Sequence, residues 1–250
     1  MSKNRAQRRA EARRGGGSAD GGKSNRIVII LGVVLLVGAA SLGYSLLTGM
    51  GAGVTEPVEV EGLEDPERLV EVAQGIEVGN PDAPVTLVEF ADYQCPACQQ
   101  FATQVLPSVK RELVDEGRVR YVFYDFPLVA MHPNAFYAAR AARCAGDQDR
   151  YWDYHDHLFL QQSEWSASGN PTRLFSGYAD ELGMDRSAFD SCLRSDRHAE
   201  VVTANRVLGE RMGVSGTPTV MVSSGQGGAV RVSDWTFNNI VAAVEAELEG

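Results

Sequence analysis

The sequence predicts an α/β fold in which a mixed sheet carries an inserted block of helices. Nearly unbroken apolar runs at 85–90 and 118–127 are typical of buried strands, and the helical spacing between them indicates a parallel β-α-β unit. From about 134 to 208 the pattern is entirely helical. The chain then returns to two strands around a Gly-rich turn at 225–228 and ends in an amphipathic helix. A hairpin that follows a parallel pair predicts a mixed sheet with helices on both faces.

The chain in front of the first strand of this unit divides into three segments. Residues 1–26 form a basic arm with eight Lys/Arg against two acidic residues. Residues 27–49 carry no charge, and a helix of this length spans about 34 Å, enough to cross a hydrocarbon core of about 30 Å. Residues 50–74 are rich in Gly, Pro and Glu and are predicted to form a linker with one short helix. A short strand is expected near 76–78.

The basic arm and the apolar segment predict a single-pass membrane anchor with a cytoplasmic N-terminus, because positive charge stays on the cytoplasmic side. The alternative is a cleaved secretory signal, whose apolar region is usually shorter, at about 7–15 residues. Both interpretations place the rest of the chain outside the cytoplasm. The net charge is −10 and the arm contributes +6, so the remaining 224 residues carry −16. Such an acidic body argues against nucleic acid as a partner.

Two cysteines follow the first long strand in the stretch DYQCPACQQF, residues 92–101. A strand that leads directly into a helix places Cys95 at the helix N-terminus, where Pro96 suits the first turn. Free backbone N–H groups and the helix dipole favour a thiolate there, so Cys95 is the expected attacking sulfur. Cys98 lies one turn further along the same face and can close the ring as the resolving thiol.

Two other interpretations of the pair are less favoured. A structural clamp this short removes little chain entropy and so stabilises little. A zinc tetrathiolate would need Cys144 and Cys192 as well, but these are single cysteines far apart and do not form a second CxxC. The four histidines form no ligand set and are predicted to be ordinary surface or packing residues: His132, His155, His157 and His198. We therefore expect neither a metal nor an organic cofactor.

Four stretches, in order, make the chain resemble the DsbA-like thiol:disulfide oxidoreductases, in particular their membrane-tethered bacterial branch. They are VEFADYQCPAC, FPLVAMHPNAFYAARAARCA, YWDYHDHLF and GVSGTPTVMV. The resemblance covers about 75–249. It implies a thioredoxin-like mixed sheet with a helical insertion at about 134–208.

The resemblance also implies roles for individual residues. Cys95 and Cys98 match the family's nucleophile and resolving thiol, and Pro218 matches its cis-proline. Thr217 would then expose its backbone to pair with a substrate strand. Glu89 matches a buried acid beneath the disulfide, with a raised pKa that lets it exchange a proton with Cys98. The alternatives are a trans turn before the strand and a Glu at the strand edge that faces water.

Cys144 and Cys192 both fall in the helical block and are expected to form a structural disulfide, as in related exported proteins. Such a bridge would close 48 residues and stabilise the fold by up to about 4 kcal/mol on the chain-entropy estimate. Two separate buried thiols are the alternative. An even cysteine count in an oxidising compartment favours the disulfide.

These observations predict an extracytoplasmic oxidase that donates the Cys95–Cys98 disulfide to exported proteins with cysteine thiols. A quinone-linked membrane protein of the DsbB or VKOR type would reoxidise it. Two features leave the direction of electron flow open: Ala97 stands where the best-known oxidases carry histidine, and some isomerases share Thr217. The alternatives are an isomerase, a reductase for cytochrome c maturation, and a non-catalytic chaperone that binds exported chains.

Overall fold

The structure is a computed structural model, and it describes residues 53–225 and 227–249. The predicted basic arm at 1–26 and the apolar segment at 27–49 lie outside the described residues. Within the described part of the chain, no helix combines the length and the apolar character needed to span a bilayer.

The sheet is mixed, as the sequence predicts. Its strands are β1 (Ile76–Val78), β2 (Val85–Ala91), β3 (Val119–Asp125), β4 (Thr219–Ser223) and β5 (Val230–Arg231). They lie in the order β1-β3-β2-β4-β5. β2 and β3 pair in parallel, and every other neighbouring pair is antiparallel. The strand predicted after the Gly-rich turn, β5, is only two residues long.

Helices precede, connect and follow the strands. They are α1 (Pro66–Val72), α2 (96–114), α3 (Ala135–Gly146), α4 (Tyr151–Leu160), α5 (Gln162–Trp165), α6 (Thr172–Glu181), α7 (Arg186–Arg194), α8 (Ala199–Arg211) and α9 (Phe237–Glu249). Helices α3 to α8 form the predicted insertion between β3 and β4. The Asp65 side chain caps α1 by accepting from the backbone N–H groups of Glu67 and Arg68.

Helix α2 continues through Pro107, and its hydrogen-bond register widens twice. It begins at Pro96–Gln100, passes through a π turn at Phe101–Val105, and ends with a second π turn at Lys110–Val114. The Leu106 N–H donates to the Phe101 carbonyl, five residues back. This turn lies just before Pro107, which has no N–H to donate. The helix therefore accommodates Pro107 next to a π turn.

The two faces of the sheet carry separate cores. On one face, buried side chains of β2 and β3 pack with α2, α4 and α9 in the larger cluster. On the other face, a smaller cluster contains Phe90, Phe126, Val214 and Met221. Helix α8 approaches this second face closely, since a Cβ at Gly209 would lie 2.6 Å from the Phe126 ring. The first face is the one that supports the CPAC segment.

Two helices of the insertion begin later than their sequence patterns predict. Asp149 is a typical N-cap residue for α4, and helical spacing from 196 predicts an earlier start for α8. Instead, Asp149 and His198 adopt positive φ angles of 59° and 66°. A left-handed residue cannot continue an α-helix, so α4 begins at Tyr151 and α8 at Ala199. At α7 an aspartate does cap the helix, because the Asp185 side chain accepts from the Ala188 N–H.

Candidate active site

The CPAC segment lies where β2 passes into α2. Cys95 is the N-cap residue of α2, Pro96 follows at the first helical position, and the Cys95 N–H donates to the Asp92 carbonyl over 3.1 Å. Both thiols are free, so the structure holds the dithiol form. Cys95 keeps 8% of its surface exposed and Cys98 none. Only the first sulfur is therefore placed to meet a reaction partner.

The two sulfurs have opposite acidities. A hydrogen bond from the Cys98 thiol is the largest influence on Cys95, and contacts from Thr217 and the N–H groups of Cys98 and Ala97 act in the same direction. Together they outweigh burial and lower the pKa of Cys95 to about 5. Burial raises the pKa of Cys98 well above its ordinary value. The sequence predicted the helix end as the cause, but the partner thiol contributes more.

The Thr217–Pro218 peptide bond is cis, and it lies directly opposite Cys95. The Cys95 sulfur is 3.5 Å from the Thr217 carbonyl oxygen. Strand β4 begins at the next residue and pairs with β2, so the sheet itself holds this segment against the CPAC turn. The backbone of Thr217 is thus beside the Cys95 sulfur.

Glu89 is a buried residue of β2, on the face of the sheet that supports the CPAC segment. Its side chain is 1% exposed, so the water-facing alternative for this residue is excluded. Its Oε2 accepts a hydrogen bond from the Tyr121 hydroxyl, and its Oε1 has no partner among the described residues. Burial raises the pKa of Glu89 to about 8 although Tyr121 and Lys110 act against it. The carboxylate also raises the pKa of Cys98, so the acid and the buried thiol interact.

The structure adds a pair of residues that the sequence interpretation passed over. His132 was predicted to be an ordinary surface or packing residue. Its Nδ1 lies 2.8 Å from Oδ2 of Asp92, a fully buried carboxylate three residues before Cys95. Both residues lie in stretches that resemble the DsbA-like family, Asp92 in DYQCPAC and His132 in FPLVAMHP. The sequence does not indicate that the two side chains are in contact.

A glutamine of the insertion also holds the turn in place. Gln162 of α5 donates from Nε2 to the carbonyls of Tyr93 and Cys95, over 2.7 and 3.0 Å. Gln94 donates to the Ser166 carbonyl over 3.0 Å. The helical insertion thus fixes the backbone in front of Cys95, which the sequence pattern could not reveal.

Cys144 and Cys192 form a disulfide between α3 and α7, with their Cα atoms 5.8 Å apart. The structure therefore pairs these residues and does not bring them to the CPAC segment. His198 lies within 4.8 Å of both sulfurs. Since both sulfurs are bonded to each other, they do not offer the thiolates that a zinc site with Cys95 and Cys98 would need.

Comparisons with known proteins agree with this geometry. A relative from Bacillus cereus, named probable disulfide bond formation protein D, is 25% identical over 235 residues, which cover 91% of this chain and 99% of the relative. The crystal structure of oxidised BdbD from Bacillus subtilis has a TM-score of 0.62 and 25% identity, and the match covers 71% of this chain and 97% of BdbD.

Another relative is much longer than this chain. The Na⁺/H⁺ antiporter NhaA 1 of Salinispora arenicola is 41% identical over 146 residues, which cover 58% of this chain and 21% of the antiporter. The chain thus spans about a fifth of the length of such antiporters.

The family described as Thioredoxin matches residues 71–236, which include all five strands, β1 to β5, and the whole insertion. The disulfide bond formation relative and the BdbD structure confirm the resemblance to DsbA-like proteins. The chain belongs to the thioredoxin family.

Proposed function

We propose that this chain is an extracytoplasmic thiol:disulfide oxidoreductase that donates the Cys95–Cys98 disulfide to exported proteins. The observation that carries the proposal is the asymmetric dithiol. Cys95 keeps a small exposed surface and has its pKa lowered to about 5, whereas Cys98 is fully buried with a raised pKa. The named relative supports the same chemistry, because it is a probable disulfide bond formation protein.

The reaction begins when a substrate thiolate attacks the Cys95 sulfur of the oxidised enzyme. The S–S bond breaks, its electron pair leaves with Cys98, and Glu89 supplies the proton that this buried sulfur requires. A second substrate thiolate then attacks the substrate sulfur of the mixed disulfide and releases Cys95 as a thiolate. The substrate has lost two electrons and two protons, and the enzyme has gained the electrons. One of the two protons restores Glu89, and the other passes to water. Thr217 would pair with the substrate backbone beside Pro218.

The acidity of Cys95 favours the direction of oxidation. A pKa of about 5 stabilises the reduced enzyme as a thiolate, and stabilising the reduced form makes the disulfide a stronger oxidant. An isomerase or a reductase would use the same residues with a lower potential. The measured potential therefore decides between them.

We also propose that the domain works outside the cytoplasm, held there by the apolar segment at 27–49. The basic arm at 1–26 supports this orientation, and the Cys144–Cys192 disulfide is typical of an oxidising compartment. A quinone-linked membrane protein of the DsbB or VKOR type would restore the disulfide.

The reduction potential tests the direction of the reaction. The potential is measured by equilibrating the purified protein with glutathione and then trapping the thiols. We expect a value nearer to that of DsbA, about −120 mV, than to that of thioredoxin, about −270 mV. A value at or below about −270 mV would overturn the oxidase and favour a reductase.

A cysteine variant tests whether the chain is an enzyme at all. Cys95→Ser is expected to abolish the oxidative refolding of reduced ribonuclease, because no mixed disulfide can form. The matched control is the double variant Cys144→Ser/Cys192→Ser, which removes two other sulfurs and should retain activity. Refolding that is unchanged in Cys95→Ser would support a non-catalytic chaperone instead.

A further inference from the structure

His132 lies in the loop between β3 and α3, and the buried Asp92 carboxylate fixes its position. The ring Nδ1 is 2.8 Å from Asp92 Oδ2, and the Leu128 N–H of the same loop donates to that oxygen over 2.7 Å. The His132 side chain is 19% exposed and the Asp92 side chain is fully buried. A single carboxylate oxygen thus holds both the ring and the backbone of this loop.

Asp92 is at the same time bound to both cysteines. Its carbonyl accepts from the Cys95 N–H over 3.1 Å, and its own N–H donates to the Cys98 sulfur over 3.5 Å. Its second carboxylate oxygen accepts from the Gln94 N–H over 2.7 Å. The imidazole and the dithiol are therefore held by one buried residue.

The charges of these groups are complementary. The hydrogen bond to Asp92 raises the pKa of His132 against the effect of burial, and the nearby Cys95 thiolate raises it further. Asp92 and Cys95 are the titratable groups that act on the ring. Electrostatic attraction is mutual, so a protonated ring must also favour the Cys95 thiolate. Between the two cysteines, Pro96 and Ala97 provide no charge.

We propose that His132, held by Asp92, is a positioning residue of the dithiol reaction that stabilises the Cys95 thiolate and makes the couple more oxidising. The imidazolium of His132, in the loop between β3 and α3, supplies a positive charge that the CPAC turn lacks. The ring exchanges no electrons. The disulfide takes two electrons from substrate thiols, and the charge of His132 favours the state in which Cys95 keeps its negative charge. This inference rests on the proposed function.

The variant His132→Asn tests the charge. An asparagine amide keeps a donor near the Nδ1 position, so the contact with Asp92 can persist without the positive charge. We expect the pKa of the Cys95 thiolate to rise, as measured by thiolate absorbance. The equilibrium constant with glutathione should move about three- to tenfold toward the oxidised protein, where tenfold corresponds to about 30 mV. A purely structural role would leave that constant within about twofold, and this result would overturn the proposal.

His198→Asn is the matched control. His198 pairs with a different carboxylate, Asp147, over 3.1 Å at the start of α8. Its φ of 66° suits asparagine, which tolerates the left-handed region well. We expect an unchanged glutathione equilibrium for this variant. An equal shift in both variants would show a general effect of replacing a histidine and would overturn the specific role of His132.

A measurement on the unaltered protein covers the case in which the variant does not fold. NMR titration of the His132 ring should give a higher pKa in the dithiol form than in the disulfide form, because only the dithiol form carries the Cys95 thiolate. Equal values in the two forms would overturn the proposal. Neither readout needs a protein substrate, so failure of the oxidase function in ribonuclease refolding remains distinguishable from failure of this inference.

Discussion

At the scale of single residues, the proposed reaction requires a proton at a sulfur that water does not reach. Glu89 has a pKa of about 8 because it is buried, so it is mostly protonated at neutral pH. Glu89→Gln keeps the size of the side chain but has no proton to give. We expect the opening of the disulfide by a substrate thiol to slow about 100-fold at neutral pH, the lower end of general acid catalysis. Quenched-flow trapping of the mixed disulfide measures this rate.

The pH dependence of that rate supplies the control. The rate of disulfide opening in the unaltered protein, divided by the rate in Glu89→Gln, should fall above a pH of about 8, because the Glu89 carboxyl loses its proton. Tyr121→Phe removes the donor that lowers the pKa of Glu89, so the fall should move to higher pH. Tyr124→Phe alters a tyrosine of the same strand and should leave the fall unmoved. A ratio that does not change with pH would exclude Glu89 as the proton donor.

Local spacing was enough to predict the two cysteines and their helix end, because all of these lie within one turn of chain. The residues that contact Glu89 and Asp92 are much farther away along the chain. Tyr121 is 32 residues from Glu89, and His132 is 40 residues from Asp92. The parallel register places Leu87 beside Tyr121. Because side chains two residues apart on a strand point to the same face, Glu89 points to the same face as Leu87 and Tyr121. Register and loop path are tertiary properties that one sequence does not display.

At the scale of elements, the strands and the helical block agree with their sequence patterns, and the helix boundaries differ. Apolar periodicity reports which face is buried, but it does not report where the backbone adopts a left-handed conformation. Asp149 and His198 do so, and each delays the helix that follows. Helix α2 shows the same limit, since its two π turns keep helical spacing while changing the hydrogen-bond register.

The α3–α7 disulfide gives the prediction at this scale. Removing it with Cys144→Ser/Cys192→Ser frees a loop of 48 residues in the unfolded chain. The free energy of unfolding should fall by about 4 kcal/mol on the chain-entropy estimate, as measured by urea unfolding of the oxidised protein. The potential of the Cys95–Cys98 couple should stay the same. A loss of stability below about 1 kcal/mol would show that native packing of α3 on α7 compensates for the bridge.

At the scale of the whole molecule, the acidity of one sulfur makes stability depend on both redox state and pH. In the dithiol form the pKa of Cys95 is about 5, against an ordinary 9.0 in the unfolded chain. Because the folded pKa is depressed, this stabilisation is complete above about pH 9 and is lost as the pH falls toward about 5. The disulfide form has no such titration. As the pH falls from about 9 to about 5, urea unfolding should therefore show the dithiol form losing stability relative to the disulfide form. Below about pH 5 the difference between the two forms should stay constant. Reduced Cys95→Ser should lose this pH dependence, and parallel curves for the two redox forms would contradict the acidity on which the proposed chemistry depends.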